Sequence, residues 1–460
     1  MKNRLKVFLV VGIIAAMLTG CSTGNNSTKD TGDGTSANSS QMPNATTQND
    51  NSRVEPITDY STATKITLVD GKGQTITKGG KYSISGTVSN GNVVVDTTDK
   101  VYLEFAGVNI TNSKGPALQV NNAKKVTLTL KEGTENSLTD GGDNEINTAL
   151  FSNDTILIEG NGKLTITGNN EHAIESDDDV IINSGNITIS AKNDGIHAND
   201  NITINGGEVT IKTAVEGIES KGDIVINDGS LNISASDDGL NAATGITING
   251  GKIYAVSSQA DALDSNGTIN ITGGITILQG SRQPEGGIDC DQNNLTITGG
   301  TLLAMGGSNS TPTEATCTQN TVMLGVTSQN GIINIQGDDG SVATFKVGQN
   351  AQSIVFSSPN LKSNQTYKVY TGGSVAGGSD FNGLYNGETY SGGSETASFT
   401  TSKIVTIQGG SFGPGGGGGK GGPFNNGRPN GEKPNNGERP NNGVKPNNGV
   451  KPDNGKNSNL

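Results

Sequence analysis

The chain has 460 residues, of which 69 are glycine and none is tryptophan, and its formal net charge is −13 at neutral pH. Phosphate contacts require a basic surface, so this negative charge argues against nucleic acid as a partner. Aromatic residues make up only 4% of the chain. Binding of crystalline cellulose through flat aromatic platforms therefore has little support from the composition.

The first 21 residues have the pattern of a secretory signal. Basic residues precede an apolar run over residues 7–18, which is too short to cross a membrane. The following segment, LTGC, resembles a bacterial lipobox, in which Cys21 is diacylated and becomes the mature N-terminus. We expect a lipid-anchored protein on the extracellular face of the cell membrane of a Gram-positive bacterium.

Two segments of low complexity flank the central part of the chain. Residues 22–56 are mostly Ser, Thr, Asn, Asp and Gly, which predicts a disordered tether. Residues 411–460 form a Gly, Pro and Asn tail with seven basic and three acidic side chains, a net charge of +4. The tail is either a solvated spacer or a segment that rests on an anionic wall polymer.

A repeat of 22 to 25 residues runs six times between residues 171 and 307. Each unit carries short apolar alternations, such as Ile202-x-Ile204 and Val209-x-Ile211, separated by Asn-Gly and Gly-Gly turns. Three short strands and three turns in about 22 residues are typical of one coil of a parallel β-helix. We therefore predict an all-β, right-handed parallel β-helix over residues 57–410. Its regular coils span 149–307, and further β-structure at 320–408 finishes the solenoid or packs on its end.

Polar residues recur at fixed places of the repeat. One set predicts a ladder of stacked amides along the helix axis, and it comprises Asn183, Asn205, Asn227 and Asn249, continued by Thr272 and Thr298. A second set is predicted to face outward, as in ice-binding β-helices, and it comprises Thr165, Thr188, Thr210 and Thr276. Threonine is also a good strand former, so the second set is weak support for ice binding.

The repeat also concentrates and orders negative charge. Residues 171–307 hold 19 acidic side chains against five Lys and Arg, a net charge of −14. The first column stands two residues before the first core Ile or Leu of each unit and comprises His172, Asp194, Glu216, Asp238 and Asp261, with Gly286 ending it. The second column stands one residue after that Ile or Leu and comprises Glu175, His197, Glu219, Asn241, Asp264 and Asp289. Between them runs a strip of Gly and Ala, and we expect both columns and the strip to face solvent.

Carboxylates stacked in this way repel one another. Successive strands lie about 4.8 Å apart, and two like charges at that distance repel by roughly 3–4 kcal/mol at an effective dielectric constant of 20. Hard cations, Ca²⁺ above all, prefer such oxygen ligands. We therefore predict Ca²⁺ as a cofactor, with ligands among Asp194, Glu216, Glu219, Asp237, Asp238, Asp261, Asp264, Glu175 and Asp289. The alternative is a screened acidic face that aids solubility.

The units Asp194-Gly195-Ile196 and Glu216-Gly217-Ile218, with their I-N-G-G turns, resemble a family of secreted clostridial and bacillar carbohydrate-binding β-helix lipoproteins. That family was first described as a domain of unknown function. The resemblance covers roughly residues 60–410. It implies a fold like that of polysaccharide lyases, calcium at the acidic positions of both columns, and binding of cellulose or polygalacturonate. His197 and Asn241 interrupt the second column.

Three functions remain open from the sequence. The first is calcium-dependent binding of an acidic polysaccharide without catalysis, with no catalytic residue assigned. The second is a calcium-dependent pectate lyase, which requires a Lys or Arg base, and Lys221 lies nearest the acidic positions. The third is a structural protein of the cell surface or biofilm matrix.

Overall fold

The computed structural model of the chain describes residues 58–141, 146–326 and 331–409, all within one compact unit. The predicted signal peptide with Cys21, the tether and the C-terminal tail lie outside the described residues. The described residues form strands and no α-helix, which confirms the prediction of an all-β chain. Among them there is accordingly no helix that could span a membrane.

Twenty-nine strands build a parallel solenoid. In chain order they are β1 (Thr64–Thr67), β2 (Gln74–Ile76), β3 (Gly80–Val88), β4 (Val93–Asp96), β5 (Lys100–Asn112), β6 (Leu118–Asn122), β7 (Lys125–Leu130), β8 (Glu135–Asp140), β9 (Thr148–Ser152), β10 (Ile156–Gly160), β11 (Lys163–Gly168), β12 (His172–Ser176), β13 (Val180–Ile182), β14 (Asn186–Ala191), β15 (Ile196–Ala198), β16 (Ile202–Ile204), β17 (Glu208–Thr213), β18 (Ile218–Ser220), β19 (Asp223–Ile226), β20 (Ser230–Ala235), β21 (Leu240–Ala242), β22 (Gly245–Ile248), β23 (Lys252–Ser257), β24 (Leu263–Ser265), β25 (Thr268–Ile271), β26 (Ile275–Gln279), β27 (Asp289–Cys290), β28 (Leu295–Ile297) and β29 (Thr301–Gly306).

Each coil contributes one strand to a ten-stranded parallel sheet and two to a larger sheet. The ten-stranded sheet runs in the order β2, β4, β6, β9, β12, β15, β18, β21, β24, β27. Ile174, Ile196 and Ile218 are direct register partners in it, 22 residues apart, and all three are fully buried. The prediction of a parallel β-helix with about 22 residues per coil is therefore confirmed. The coils also reach back to β2, well before residue 149.

The turns between coils repeat their side-chain contacts. Asn205 donates from Nδ2 to Oδ1 of Asn183 at 2.8 Å, and Asn227 donates to Asn205 at 2.7 Å. Asn249 donates to Asn227 at 2.8 Å, and Thr272 Oγ1 donates to Oδ1 of Asn249 at 2.8 Å. The predicted amide ladder is confirmed from Asn183 to Thr272.

The predicted threonine column is only partly formed. Thr165, Thr188 and Thr210 are register partners, but Thr276 pairs with Ile253 and is fully buried. The prediction that Thr276 faces outward was wrong, because the register there is shifted by one residue, and a one-residue shift turns a side chain to the other face.

The last eleven strands change the architecture. They are β30 (Thr321–Gly325), β31 (Ile332–Gly337), β32 (Gly340–Lys346), β33 (Ser353–Ser357), β34 (Thr366–Thr371), β35 (Ser374–Ala376), β36 (Ser379–Phe381), β37 (Leu384–Asn386), β38 (Thr389–Ser391), β39 (Ser394–Thr400) and β40 (Val405–Gln408). Strand β33 pairs antiparallel with β29 and so ends the parallel stacking. Strands β36, β37, β32, β31, β34 and β39 form an antiparallel sheet over a second core that contains Phe345, Phe356 and Tyr367.

Candidate functional site

The second column lies along the ten-stranded sheet as the sequence indicates. Strand pairing places Glu175 beside His197, His197 beside Glu219, and Glu219 beside Asn241. The column continues through Asp264 to Asp289. These side chains are partly exposed, apart from His197, which is 9% exposed.

The first column is also stacked, but it is buried. The amides of Gly195, Gly217 and Gly239 donate to the carbonyls of Glu216, Asp238 and Asp261, which sets these residues one above the next. Exposure is only 1% for Asp194, 8% for Glu216, 4% for Asp238 and 5% for Asp261. The expectation that this column faces solvent was wrong. Each of these residues lies at the bend before its strand, where side-chain alternation does not operate.

The Gly and Ala strip is buried as well, so it forms no solvent-exposed lane. A Cβ on Gly217 would lie 2.3 Å from the carbonyl oxygen of Gly239 and 2.4 Å from Cγ2 of Ile233. A Cβ on Gly195 would meet the carbonyl oxygen of Gly217 at 2.6 Å. Glycine is needed here because the chain passes close to the next coil and to the core.

Both histidines of the chain meet at the start of the columns. His172 Nδ1 lies 2.9 Å and His197 Nδ1 lies 3.0 Å from Oδ2 of Asp194. His197 Nδ1 also lies 2.8 Å from Oε2 of Glu219, whose other oxygen contacts Lys221. Lys221, the candidate lyase base, is therefore engaged in an ion pair. The sequence interpretation treated His197 as an interruption of the second column and placed His172 at the start of the first, and it missed their convergence.

Charges at this end of the columns are balanced. Burial alone would raise the pKa of Asp194, but the contacts with His172 and His197 outweigh burial and hold that pKa well below its ordinary value. Burial would lower the pKa of His197, yet its hydrogen bonds to Asp194 and Glu219 raise it to about 10. Burial opposes ionisation of Glu219 too, but hydrogen bonds from His197 and Lys221 lower its pKa. Glu175, next in the column, has its pKa raised by burial.

Charges at the other end are not balanced. Burial, reinforced by the charge of Asp238, raises the pKa of Glu216 to about 9. Burial, reinforced by Asp264, raises the pKa of Asp238 to about 8, and Asp237 contributes to both shifts. Burial and a hydrogen bond with Glu285 raise the pKa of Asp261, with Asp289 adding to the effect.

Backbone amides bond to some of these carboxyl groups. Asp238 Oδ1 accepts from the amide of Asp261 at 3.0 Å, and Asp261 Oδ1 accepts from the amide of Gly286 at 2.5 Å. Oε2 of Glu216 is buried without a hydrogen-bond partner. Within the described ranges no Lys or Arg forms an ion pair with Glu216, Asp238 or Asp261.

This donor set tests whether Ca²⁺ fits. Glu216, Asp238 and Asp261 offer oxygen atoms only, the donor type that hard cations prefer, and one of those oxygens is buried and unpartnered. Their donor atoms do not form a group within 4.8 Å of one another, so binding Ca²⁺ would require side-chain rotation. Asp194 and Glu219 instead share their oxygens with imidazole nitrogens. The predicted ligands thus divide into two groups. A carboxyl group set comprises Glu216, Asp238 and Asp261, with Asp237, Asp264 and Asp289 nearby. Asp194 and Glu219 join His172 and His197, which were not predicted ligands, in a histidine cluster, and the predicted ligand Glu175 belongs to neither group but pairs with His197 in the sheet.

A cavity of about 270 Å³ lies where the columns end. Asp261, Asp289, Asp291, Asn309 and Ser310 are among its lining residues. Ser310 Oγ donates to Asp289 Oδ1 at 2.9 Å, so the cavity brings carboxyl groups and hydroxyl groups together. The repeat predicted Asp261 and Asp289, but Asn309 and Ser310 follow the last unit and carried no sequence signal.

A second cleft, of about 360 Å³, lies between the solenoid and the antiparallel sheet. Its lining includes two half-buried aromatic rings, Tyr254 and Tyr385, together with Gln279, Lys346 and Asp380. Gln279 Nε2 donates to the hydroxyl of Tyr254 at 3.3 Å. A larger cavity, of about 670 Å³, lies near residues 324–333 and contains none of the predicted acidic ligands.

Comparison with known proteins identifies the family. A sequence model described as "Carbohydrate-binding domain-containing protein" matches residues 70–259 and 213–373, which together span well over half of the chain. The chain belongs to this family. The carbohydrate-binding class implied by the sequence resemblance is thereby confirmed, and polysaccharide is the class of ligand it supports.

Two relatives are similar over part of the chain. A carbohydrate-binding domain-containing protein of Acetivibrio thermocellus is 39% identical over 126 residues, which are 25% of this chain and 44% of the relative. The chain thus spans less than half the length of that relative. A solved structure of a polysaccharide lyase-like protein from C. thermocellum, a gadolinium derivative, is 32% identical, with a TM-score of 0.42. It covers 45% of this chain and 96% of its own.

Proposed function

We propose that the chain binds an acidic polysaccharide, of the polygalacturonate type, through Ca²⁺ held by the carboxyl group set, and that it does so without catalysis. One observation carries the proposal. Glu216, Asp238 and Asp261 are buried in three successive coils, and none has a Lys or Arg partner among the described residues. Membership of a carbohydrate-binding family supplies the class of ligand.

The side chains proposed to hold Ca²⁺ are Glu216, Asp238 and Asp261. Asp237, Asp264 and Asp289 are close enough to affect the pKa values of these three and would add negative potential. A bound Ca²⁺ would offset the repulsion within the set and offer open coordination positions to the carboxylates of an acidic sugar polymer. The exposed Asp291 in the neighbouring cavity provides a carboxylate that can accept hydrogen bonds from sugar hydroxyls.

Titration calorimetry tests the proposal. Polygalacturonate is titrated into the full-length chain in about 1 mM Ca²⁺ and again in EGTA. This Ca²⁺ concentration is about tenfold above the lowest dissociation constant expected for an extracellular module. We expect heat of binding only with Ca²⁺. Glu216→Gln combined with Asp238→Asn should abolish it, whereas Asp228→Asn, on an exposed turn, should not. Binding that is equal in EGTA would overturn the role of calcium. Unsaturated uronate products, seen by ultraviolet absorbance, would overturn the absence of catalysis.

We also propose that the protein is held at the extracellular face of the membrane through lipid on Cys21, which rests on the lipobox-like segment LTGC. Replacing Cys21 by Ser should release the protein from the membrane fraction and prevent incorporation of labelled palmitate. Retention of label in that variant would refute the anchor.

The cleft of Tyr254 and Tyr385 favours a second candidate, binding of a neutral, cellulose-like glucan. Aromatic faces beside amide, carboxyl and amino groups suit the apolar face and the hydroxyl groups of such sugars. Cello-oligosaccharides should then bind equally with and without Ca²⁺, and Tyr254→Ala should weaken binding. Unchanged binding in that variant would dismiss the cleft.

A further inference from the structure

The histidine cluster contains both histidines of the 460-residue chain. Their rings lie with centroids 4.8 Å apart and planes tilted by 33°. Asp194 stands between them and is 1% exposed. Residues of three successive coils meet here, since His172, His197 and Glu219 come from β12, β15 and β18 or their borders.

The donor atoms of the cluster are close and incompletely satisfied. One donor atom each from His172, Asp194 and His197 lies within 4.8 Å of the others. His172 Nδ1 has the distance of a hydrogen bond to Asp194 but is not directed at it, and it is buried without a partner. Asp194 Oδ1 is likewise buried without a partner. Unpartnered buried polar atoms are costly, so these two lone-pair donors are free to take a ligand.

We propose that His172, Asp194 and His197, with Glu219 as the fourth ligand, bind a Zn²⁺ ion. Zinc takes four ligands in a tetrahedron at about 2.0–2.2 Å, which places ligand atoms roughly 3.3 Å apart. His197 Nδ1 lies 3.0 Å from Asp194 Oδ2 and 2.8 Å from Glu219 Oε2, and a small side-chain rotation brings both distances to that spacing. Zn²⁺ binds the lone pair of a neutral imidazole nitrogen, so any proton on His197 Nδ1 is released to solvent when the metal binds.

The nitrogen donors distinguish this site from the proposed calcium site. Imidazole suits Zn²⁺ and related transition metals, whereas Ca²⁺ prefers oxygen ligands. The inference therefore goes beyond the proposed function and does not depend on it. Four protein ligands close the coordination sphere, as in structural zinc sites. The ion would then cross-link three coils of the solenoid.

Calorimetric titration of ZnCl₂ into the full-length, tag-free chain tests the site. All proteins carry Cys21→Ser, which removes the thiol outside the described residues, while Cys290 and Cys317 are buried. We expect one Zn²⁺ per chain and a raised melting temperature. His172→Gln and His197→Gln should each weaken Zn²⁺ binding by more than about 10–100-fold, the loss typical of changes even to outer-shell partners. The matched control is Asp200→Asn, which removes one exposed charge from the coil of His197.

A measurement on the protein with both histidines intact tests the site even if the histidine variants fail to fold. X-ray absorption at the zinc edge of the one-to-one complex should show two imidazole nitrogens, which only His172 and His197 can supply. Absence of saturable Zn²⁺ binding, binding unchanged in both histidine variants, or a zinc edge without imidazole would each overturn the proposal. If the parent chain binds Zn²⁺ but not Ca²⁺, only the calcium proposal is overturned.

Discussion

Glu216 stacks directly on Asp194, yet the two carboxyl groups have pKa values shifted in opposite directions. The amide of Gly195 donates to the carbonyl of Glu216 at 2.9 Å, so their coils are immediate neighbours. Both side chains are buried, which by itself raises a carboxyl pKa. Asp194 stays ionised because two histidines contact it, whereas Glu216 faces Asp238 and becomes protonated. A single column of acids is thus divided into a part in which histidines offset the carboxylate charge and a part in which carboxyl groups have only carboxyl neighbours.

The first prediction concerns the uncompensated part. In the double variant Glu216→Gln, Asp238→Asn, the free energy of unfolding without metal should change by less than about 1 kcal/mol. The reason is that an amide mimics the protonated acid already present at pH 7. The rise in melting temperature that Ca²⁺ gives the parent chain should vanish. Thermal unfolding followed by circular dichroism, with and without Ca²⁺, measures both, and Asp228→Asn serves as the control. If Ca²⁺ raises the melting temperature of the double variant as much as that of the parent chain, Glu216 and Asp238 are not the calcium ligands.

The second prediction concerns pH. Glu216 and Asp238 have folded pKa values of about 9 and about 8, above unfolded values near 4. The folded state therefore binds more protons than the unfolded state between those limits, and stability must fall as pH rises. In EDTA, the free energy of unfolding should decrease from pH 5 to pH 9, and saturating Ca²⁺ should reduce that decrease. In EDTA, stability that is constant or increases over this range would show that the two groups ionise normally.

The Gly and Ala strip gives the third prediction. Gly217→Ala should destabilise the fold by about 1–3 kcal/mol or more, because the new methyl group would overlap the Gly239 carbonyl and Ile233. Ala262→Gly, the reverse change at an equivalent place in another coil, should cost only about 0.5–1 kcal/mol. Urea denaturation of both variants gives the comparison. Equal losses of stability in the two variants would show that the neighbouring coils move to accommodate the added methyl group.

The amide ladder gives the fourth prediction. Asn227→Ala removes a partly buried hydrogen bond to Asn205 and an exposed hydrogen bond from Asn249. At a net value of about 0.5–1.5 kcal/mol per bond, the loss should be about 1–3 kcal/mol. Asn232→Ala, on an exposed strand position of the same coil, should have almost no effect on the urea midpoint. A similar midpoint for the two variants would mean that the ladder contributes little.

The repeat predicted most of what depends on position along the chain. Alternating Ile and Val residues bury one face of each strand, and a constant period brings equivalent residues such as Asn205 and Asn227 together. The membership of both acidic columns follows from the same period. Thr276 fails the rule because the register shifts by one residue before β26.

What the sequence by itself determined is the solenoid, its period and which residues stack on which, because backbone pairing in a regular array repeats every side chain. Only the tertiary structure decided the direction and environment of those side chains. Asp194, Glu216, Asp238 and Asp261 lie at bends, where alternation does not operate, and close packing of the coils buries them. Burial and neighbouring charge act through space, so they make Asp194 a partner of histidines and Glu216 a protonated acid, although both occupy the same place in the repeat.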